Sequence, residues 1–548
     1  MPRSMKSNCD TTEWPAQGWL RCVRSIQGSA LVLLLSGCTL VGPNFQSPEA
    51  ALPAQWQQAD GQLVASTSVE QGRWWDAFSD PVLSQLIAVA YQNNHDLKIA
   101  GLRVLEARAQ LGIAVGTPYP QVQQAVGGAA YTKGSENAAN TAGGGDLRFW
   151  EYNAGFNVAW EADFWGKFRR GIESADANLL GSIAAYDNAL VLLVAQVADT
   201  YVAIRNAEAQ LDVARANATI QQRSFRITEA RFRGGDIGEL DMLQARTQLL
   251  GTQATIPPLE SGLQQARNAL STLLGQPPGQ LAALLGGLPG VIPAAPQTIA
   301  AGAPTELLRR RPDVRQAELA AATQSAAVGV AEADLYPSFG LSGFLGVVAA
   351  DGTNTTRSGN TGFGQLFNAN SITFVGGPYF SWNILNYGRI RNNVRVQDAR
   401  LQQLLENYQS TVLNAVKEVE NGMVAYLRSR DQERILAETE VTAQRSLNIA
   451  NVGYREGITD FQRVLDAQAA LQRAQQSYVT ARSTTVSSAI GIYRALGGGW
   501  EIRSGQGFVD PTTLATMQQR VNWGDLLAPA AAEPAFKGQA GGWPSPDW

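Results

Sequence analysis

The sequence predicts a mainly α-helical chain with membrane β-strands, built as two interleaved copies of one unit. Three observations predict it. Residues 160–275 align on 382–497 with a constant offset of 222 and no gap. Each copy carries strand candidates that alternate apolar and polar side chains. Each strand pair then feeds a proline-free stretch long enough for a helix several times the thickness of a bilayer. A repeat whose copies cannot bury their own faces points to an assembly.

The repeat is specific. Trp160, Gly166, Arg169 and Ala177 recur as Trp382, Gly388, Arg391 and Ala399, and Phe232-Arg233 recurs as Tyr454-Arg455. An earlier stretch repeats with an offset of 217: Asp96 on Asp313, Lys98 on Arg315, Pro120 on Pro337. Length alone would suggest several domains, whereas the repeat predicts one architecture written twice.

The N-terminus reads as an export signal, residues 1–37. Lys6, Arg21 and Arg24 supply a basic start, and residues 26–35 form an apolar core too short to span a bilayer. That core runs into Leu35-Ser36-Gly37-Cys38, which resembles a bacterial lipobox, so Cys38 is the expected lipidation site. Cleavage before Cys38 would discard Cys9 and Cys22 and leave no partner for a disulfide. Thr39 rather than an aspartate follows Cys38; by resemblance to lipoprotein sorting this favours the outer membrane. Residues 38–80 read as a lipidated linker. No later transmembrane helix is expected.

The first structural repeat is expected over 81–300. Asp80-Pro81 opens a helical segment running to about Gly116. A strand pair follows over 120–164, interrupted by a Gly/Asn/Ala loop at 134–145. Trp150, Tyr152, Phe156, Val158, Trp160 and Phe164 share one parity, while Glu151, Asn153, Asn157, Glu161 and Asp163 share the other. Period-2 alternation of this length puts aromatics on one face and polar groups on the other. Aromatics at both ends of the apolar face, on strands long enough to cross tilted, favour lipid over a soluble core. Trp150, Phe156 and Trp160 are therefore expected to face lipid, and Glu151 and Asn157 to face water.

A long helix is expected over 166–233, roughly 100 Å at 1.5 Å per residue. Its apolar series Ile183, Tyr186, Leu190, Leu193, Val197, Tyr201, Ile204 uses alternating spacings of three and four, the left-handed coiled-coil pattern. Gly234-Gly235 ends it. A return over 238–275 is expected as two helices in line, because Pro257-Pro258 interrupts it.

The second repeat, 301–500, predicts the same elements: a helix, a strand pair over 336–386, a long helix over 388–455 and a return over 459–496. Here Ile372, Phe374, Phe380, Trp382 and Ile384 alternate with Ser371, Thr373, Ser381 and Asn383, so Phe374, Phe380 and Trp382 join the lipid-facing set. Residues 501–548 read as a further segment with a disordered Ala/Pro/Gly-rich tail from Pro529.

Composition excludes several functions. Charge is close to balanced, 43 basic against 47 acidic residues, so no nucleic-acid partner is expected. The single histidine, His95, leaves little for His-based catalysis or a multi-His metal centre. Gly166-Lys167 lacks the glycine spacing and the Ser/Thr of a phosphate loop, and no nucleophile elbow or zinc spacing occurs. No enzyme, cofactor or bound metal is expected.

Geometry then demands copies. Four membrane strands cannot close a barrel, and an open edge in lipid leaves backbone groups unsatisfied. Two chains would give eight strands and little lumen; three give twelve and an open channel. The expected assembly is a homotrimer with a twelve-stranded β-barrel in outer-membrane lipid, continuous with a long α-helical barrel in the periplasm.

At this point the residues carry a family resemblance. The chain resembles the TolC-like outer-membrane efflux factors, in the lipoprotein branch that serves resistance-nodulation-division pumps. The marks are the lipobox with Gly42-Pro43, Trp74-Trp75, Tyr119-Pro120 with Tyr336-Pro337, Arg310-Arg311-Pro312-Asp313, Tyr387-Gly388-Arg389, Tyr454-Arg455-Glu456-Gly457, Val464-Leu465-Asp466-Ala467-Gln468 and the closing run from Ala495 to Trp500. The resemblance covers nearly everything from Cys38 to Trp500. It implies a passive exit duct for drugs and other small toxic compounds, delivered by an inner-membrane pump through a periplasmic adaptor. It also implies a belt around the middle, near Arg311 and after Trp500. The alternative is a same-fold duct for type I protein secretion or for metal ions.

The same resemblance implies a gate at the periplasmic tip. Asp466 matches a ring carboxylate, and Gln462 occupies the place of an apolar constriction in relatives of this branch. Arg463 stands where some members have a second aspartate. Tyr454 matches a tip tyrosine, and Asp241 matches the carboxylate it contacts. Thr459 stands where some members have an arginine that ties the tips, so that tie is not expected here.

Overall fold

The computed structural model describes residues 40–49, 52–53, 55–57, 64–65, 72–137, 147–286, 289–306, 310–351 and 362–527. Cys38, the export signal, the hairpin-loop tip at 138–146 and the tail expected to be disordered lie outside the described residues.

Helix α1 (Pro81–Asn93) starts where the sequence says. The Asp80 carboxylate accepts from the N–H groups of Val82 (2.8 Å) and Leu83 (3.1 Å), and Pro81 has no N–H to satisfy. The segment expected to run unbroken to Gly116 is in fact two helices. Asn94 adopts an extended ψ of 126°, ending α1 and opening α2 (His95–Gly116). Its side chain acts as the breaker: Oδ1 accepts from Leu97 N–H at 2.9 Å, and Nδ2 donates to the Leu273 carbonyl at 3.0 Å. One buried amide thus caps a helix and ties it to the far end of a distant one.

Strands β1 (Val122–Lys133) and β2 (Arg148–Ala162) follow, and Gly166 turns the chain at φ 77° into helix α3 (Lys167–Arg233). The return, α4 (Glu239–Leu273), passes through Pro257 and Pro258 as one continuous helix. This corrects the expected break. Two adjacent prolines remove only two ladder bonds, and packing along α3 outweighs them. The second copy then supplies α5 (Pro312–Ala333), β3 (Ser338–Ala350), β4 (Ile372–Ser381), α6 (Arg389–Arg455) and α7 (Phe461–Ala495), followed by α8 (Pro511–Arg520).

The copies match residue for residue. Helices α3 and α6 are each 67 residues long, and α4 and α7 are each 35, all with the offset of 222. Helices α2 and α5 are each 22 residues, with the offset of 217. At 67 residues the long helices reach about 100 Å. By length and composition alone α3 includes a window apolar enough to cross a membrane, but 61% of that window is buried inside the chain. It is a core helix.

The strands form one antiparallel sheet in the order β1-β2-β3-β4. Helices α3 and α4 make one hairpin, α6 and α7 another, and α3 packs on α7 to join them.

The largest buried cluster joins α1, α2, the membrane-proximal part of α3 and the end of α7. Trp74 stacks on Tyr493 with centroids 5.1 Å apart and planes within 10°, beside Trp75 and Phe78. Arg311 is buried and donates to the Ala495 carbonyl at 2.6 Å, to Asp313 and to Glu418. Arg503, after Trp500, makes a buried bidentate pair with Asp187 of α3. Glu208 accepts from Arg205, Arg267 and the Gly290 N–H. Burial would raise its pKa, but these three donors together hold it below the usual carboxylate value. Beside this network Tyr201 donates to Asp80 at 2.8 Å, and burial first of all pushes its phenol up to about 12.

Candidate functional site

The strand register decides which side chains share a face. Phe156 pairs with Ala125 on one side and with Leu345 on the other, and Leu345 pairs with Phe374. Directly paired residues lie on one face. That face therefore carries Tyr131, Trp150, Tyr152, Phe156, Val158, Trp160, Phe339, Leu341, Leu345, Val347, Ile372, Phe374 and Phe380. The opposite face carries Glu151, Asn153, Asn157, Glu161, Ser342 and Thr373, together with the apolar Phe149, Phe344, Val348, Val375 and Tyr379. Phe156 is 62% exposed in the single chain and Phe374 and Phe380 are each 71% exposed, so no described residue covers the middle of the apolar face. Such a patch requires an apolar surrounding.

Both ends of that face are aromatic. Toward the helices, Trp160 Nε1 donates to the Pro118 carbonyl at 2.8 Å and Trp382 Nε1 to the Leu335 carbonyl at 3.0 Å, equivalent bonds in the two copies. At the far end Trp150 packs on Tyr131 and Tyr152, with centroids at 5.4 and 6.3 Å. Trp150 and Trp160 are ten residues apart on one strand, about 33 Å of chain, or roughly 25 Å across a bilayer at a 40° tilt. Trp382, Ile384 and Phe164 differ from expectation: they lie just past the ends of β4 and β2. They sit where the chain leaves the sheet, so Trp382 belongs to the rim rather than to a strand.

Among the described residues the outer edges of β1 and β4 pair with nothing. In lipid each must meet the complementary edge of another copy.

The N-terminal segment is fixed to the same rim. Leu40 packs against Gly166, and the Val41 N–H donates to the Trp165 carbonyl at 3.2 Å. Arg170, wholly buried, donates to the carbonyls of Val41 and Gly42, to Asn44 Oδ1 and to Glu173. Cys38 is two residues from Leu40, a span of at most about 7 Å.

At the opposite end, roughly 100 Å away, the two hairpin tips pack together through Ala245, Leu447, Phe461, Val464 and Leu465. Asp460 caps α7, accepting from the Arg463 N–H at 3.2 Å. Gln462 and Asp466, one turn apart and both exposed, are brought together: Gln462 Nε2 donates to Asp466 Oδ1 at 2.8 Å. Tyr454 and Asp241 are not joined as expected. The Tyr454 hydroxyl is enclosed within its own chain and has no hydrogen-bond partner. Its ring instead lies under the Arg231 guanidinium, 5.0 Å from the centroid, and against Phe461 at 5.2 Å. The tip contact is thus a cation–π pair between the two hairpins. Sequence reasoning missed Arg231, whose position in the last turn of α3 reads as an ordinary helix-end charge. Thr459 is also enclosed, its hydroxyl unpartnered, close to Gly453.

Among the described residues no cluster of three or more His, Cys, Asp or Glu side chains could hold a metal ion. What the chain offers is one third of a membrane wall, a long helical conduit below it, and a carboxylate held by an amide at the tip.

These features define a segment of a membrane channel rather than a catalytic site. The outer membrane efflux protein family matches residues 86–276 and 303–498, one match in each structural repeat. The chain belongs to that family. It is similar to the pyoverdine export outer membrane protein OpmQ of Pseudomonas putida, 32% identical over 477 residues, covering 86% of this chain and 97% of the relative. It is similar to the cation efflux system protein CusC of Escherichia coli, 30% identical over 481 residues, covering 86% and 98%. Among solved structures the outer-membrane channel OprN has a TM-score of 0.77 at 32% identity, covering 84% of this chain and 99% of that one. A structure of CusC has a TM-score of 0.70 at 28% identity, covering 84% and 100%. The chain is accordingly an outer-membrane efflux channel and not an enzyme. It is trimeric and works with a periplasmic adaptor and an inner-membrane pump of the resistance-nodulation-division type.

Proposed function

We propose that this channel is the passive exit duct for small toxic organic compounds, anchored through Cys38 and gated at the periplasmic tip by three copies of Asp466. The single observation that carries the duct is the two-faced sheet with open edges leading into helices of 67 residues. Trp150, Phe156, Trp160, Phe374, Phe380 and Trp382 are the lipid-facing set, and the opposite face, which carries the sheet's carboxylates and amides, lines the lumen. The Leu40–Gly166 contact supports the anchor, since it holds the chain beside Cys38 at the membrane rim.

Gating follows from charge and packing. Three carboxylates converging on a threefold axis favour a bound cation and bias the pore toward cations. Gln462 orients each Asp466. The Arg231–Tyr454 contact takes the closing role expected of Tyr454 and Asp241. Adaptor and pump would shift a pre-existing closed–open equilibrium rather than supply chemistry. The solved open state of the Neisseria gonorrhoeae MtrE channel, with a TM-score of 0.71, supports an equilibrium of this kind for the fold.

A second reading is export of metal ions. The acidic tip and the similarity to a cation efflux protein favour it. Deleting the gene and measuring sensitivity to dyes, detergents, antibiotics and copper or silver ions separates the two. Hypersensitivity to organic compounds alone supports the first reading; hypersensitivity to the metals alone replaces it with the second.

A further inference from the structure

The apolar face of the sheet changes chemistry at its outer end. On that face no described residue is charged from Gln123 to Tyr131 in β1, from Trp150 to Ala162 in β2, or anywhere in β3 and β4. Just beyond the aromatic end the pattern breaks. Lys133 pairs directly with Arg148, on the same face as the Tyr131–Trp150 pair beneath them. The backbone fixes the two side by side, because one step further on the Gly134 N–H donates to the Leu147 carbonyl at 2.6 Å.

Like charges held directly opposite each other repel. Both side chains are exposed, and among the described residues neither makes an ion pair or a side-chain hydrogen bond. Asp351, after β3, is committed to the Trp150 backbone N–H, and Glu136, in the turn, has a contact of its own. At the level of the two cations the opposite face carries Thr132 and Phe149. The charge is therefore directed away from the lumen.

Position names the surroundings. Lys133 and Arg148 stand two residues past Tyr131 and Trp150, about 7 Å of strand, which is headgroup depth when the aromatics mark the edge of the hydrocarbon. This end of the sheet points away from the helices, so the leaflet is the outer one. Beneath the cations lies a shallow trough. Ala125, Gly127 and Ala129 of β1 run beside Ala154 of β2, between the rings of Phe156 and Tyr152. From Lys133 to Gly127 is about 20 Å of strand, or roughly 15 Å of depth at a 40° tilt, one leaflet. The corresponding end of the β3–β4 hairpin carries Val347, Ala349 and Ile372 on this face, so the feature belongs to the first repeat alone.

We propose that Lys133 and Arg148 bind the phosphate headgroup of an outer-leaflet lipid, whose acyl chains lie along the Ala125–Gly127–Ala129 trough. The guanidinium offers a phosphate two parallel donors and the ammonium a point charge, so a bridging anion turns a repulsive pair into a clamp. Each trimer carries three such sites. Because β1 is an outer strand of the sheet, each bound lipid lies beside the junction with the next copy. The site rests on the reading of this face as the lipid-facing one.

The test uses the full-length trimer in phosphatidylcholine nanodiscs, titrated with bisphosphorylated lipid A bearing a fluorescent acyl label and followed by anisotropy. Lys133→Gln and Arg148→Gln should each weaken binding about fivefold, and the double variant about 25-fold, the loss for one and two cations at an anionic surface. Arg395→Gln with Arg400→Gln, two exposed cations of α6, changes the net charge equally and should leave binding unchanged. Dephosphorylated lipid A should bind wild type no better than lipid A binds the double variant. In phosphatidylcholine alone the double variant should be at least as heat-stable as wild type, since the repulsion is gone; added lipid A should stabilise only wild type. Each single variant is a test on its own should the double variant not assemble. Equal binding of lipid A by wild type and variants overturns the site, and so does displacement of the lipid by an equal concentration of inorganic phosphate. Absence of quenching of Trp150 by brominated phosphatidylcholine, read as the difference from Trp150→Phe, would instead overturn the reading of the face.

Discussion

Replacing Phe156 by arginine tests the membrane face most sharply. Phe156 lies six residues from Trp150 and four from Trp160, close to the middle of the span between the two aromatic ends. Its pairing partners Ala125 and Leu345, and Phe374 beyond, are all apolar, so no neighbouring side chain offers the guanidinium a partner. An arginine near mid-bilayer on a barrel costs roughly 2–4 kcal/mol, and the trimer carries three copies, about 6–12 kcal/mol in all. The control is Asn157→Arg, one residue away on the opposite face. Both proteins are folded from urea into lipid vesicles, and the folded fraction is followed by the change in electrophoretic mobility on heating. Phe156→Arg should move the folding midpoint to lower urea, while Asn157→Arg stays near wild type. Equal tolerance of the two substitutions refutes the assignment of faces.

Three further outcomes are expected. Cys38→Ser should abolish incorporation of labelled palmitate while the barrel still inserts; persistent label on the variant rules the lipobox out. Tyr454→Phe should leave conductance and stability unchanged, because its hydroxyl has no partner, whereas Arg231→Ala should loosen the tip by about 0.5–1 kcal/mol per chain and raise the basal conductance. Glu208 has its folded-state pKa lowered, so its contribution is fully present above the ordinary glutamate value near 4.3 and is lost as pH falls through the lower folded value. Thermal midpoints should therefore drop on acidification below that range, and Glu208→Gln should flatten this part of the profile.

What could be read before the fold was known follows from the physics at each place. The long helices were legible to within a residue or so, because glycines with positive φ punctuate their ends and no proline interrupts them. Strand phase was legible because a sheet with unlike faces enforces period 2, as the pairing of Phe156, Leu345 and Phe374 shows. Strand ends were less so: Trp382 and Phe164 continue the aromatic pattern past the last ladder bond, since the rim favours the same side chains. Asn94 hid a helix break inside an apolar periodic run, and its tie to Leu273 spans 179 residues. Pro257-Pro258 misled in the opposite direction, since local propensity gave way to packing on α3. At the tip, Arg231 and Tyr454 meet only through tertiary folding, and no spacing announces it. The buried amide contacts between α3 and α7, where Asn217 donates to Gln475 and Gln221 to Gln472, were illegible for a different reason. Asparagine and glutamine side chains on a helix read as a solvated face, yet Asn217, Gln221 and Gln468 are buried, and the first two fall on the stripe that continues from Ile204 and Leu211.

The most direct test of the whole account is single-channel recording of the purified protein in a planar bilayer, wild type beside Asp466→Ala. The account predicts one small, cation-selective conductance per trimer for wild type, and a weaker cation preference with less block by multivalent cations for the variant. Independent conductance from single chains, or identical selectivity in the two proteins, would contradict it.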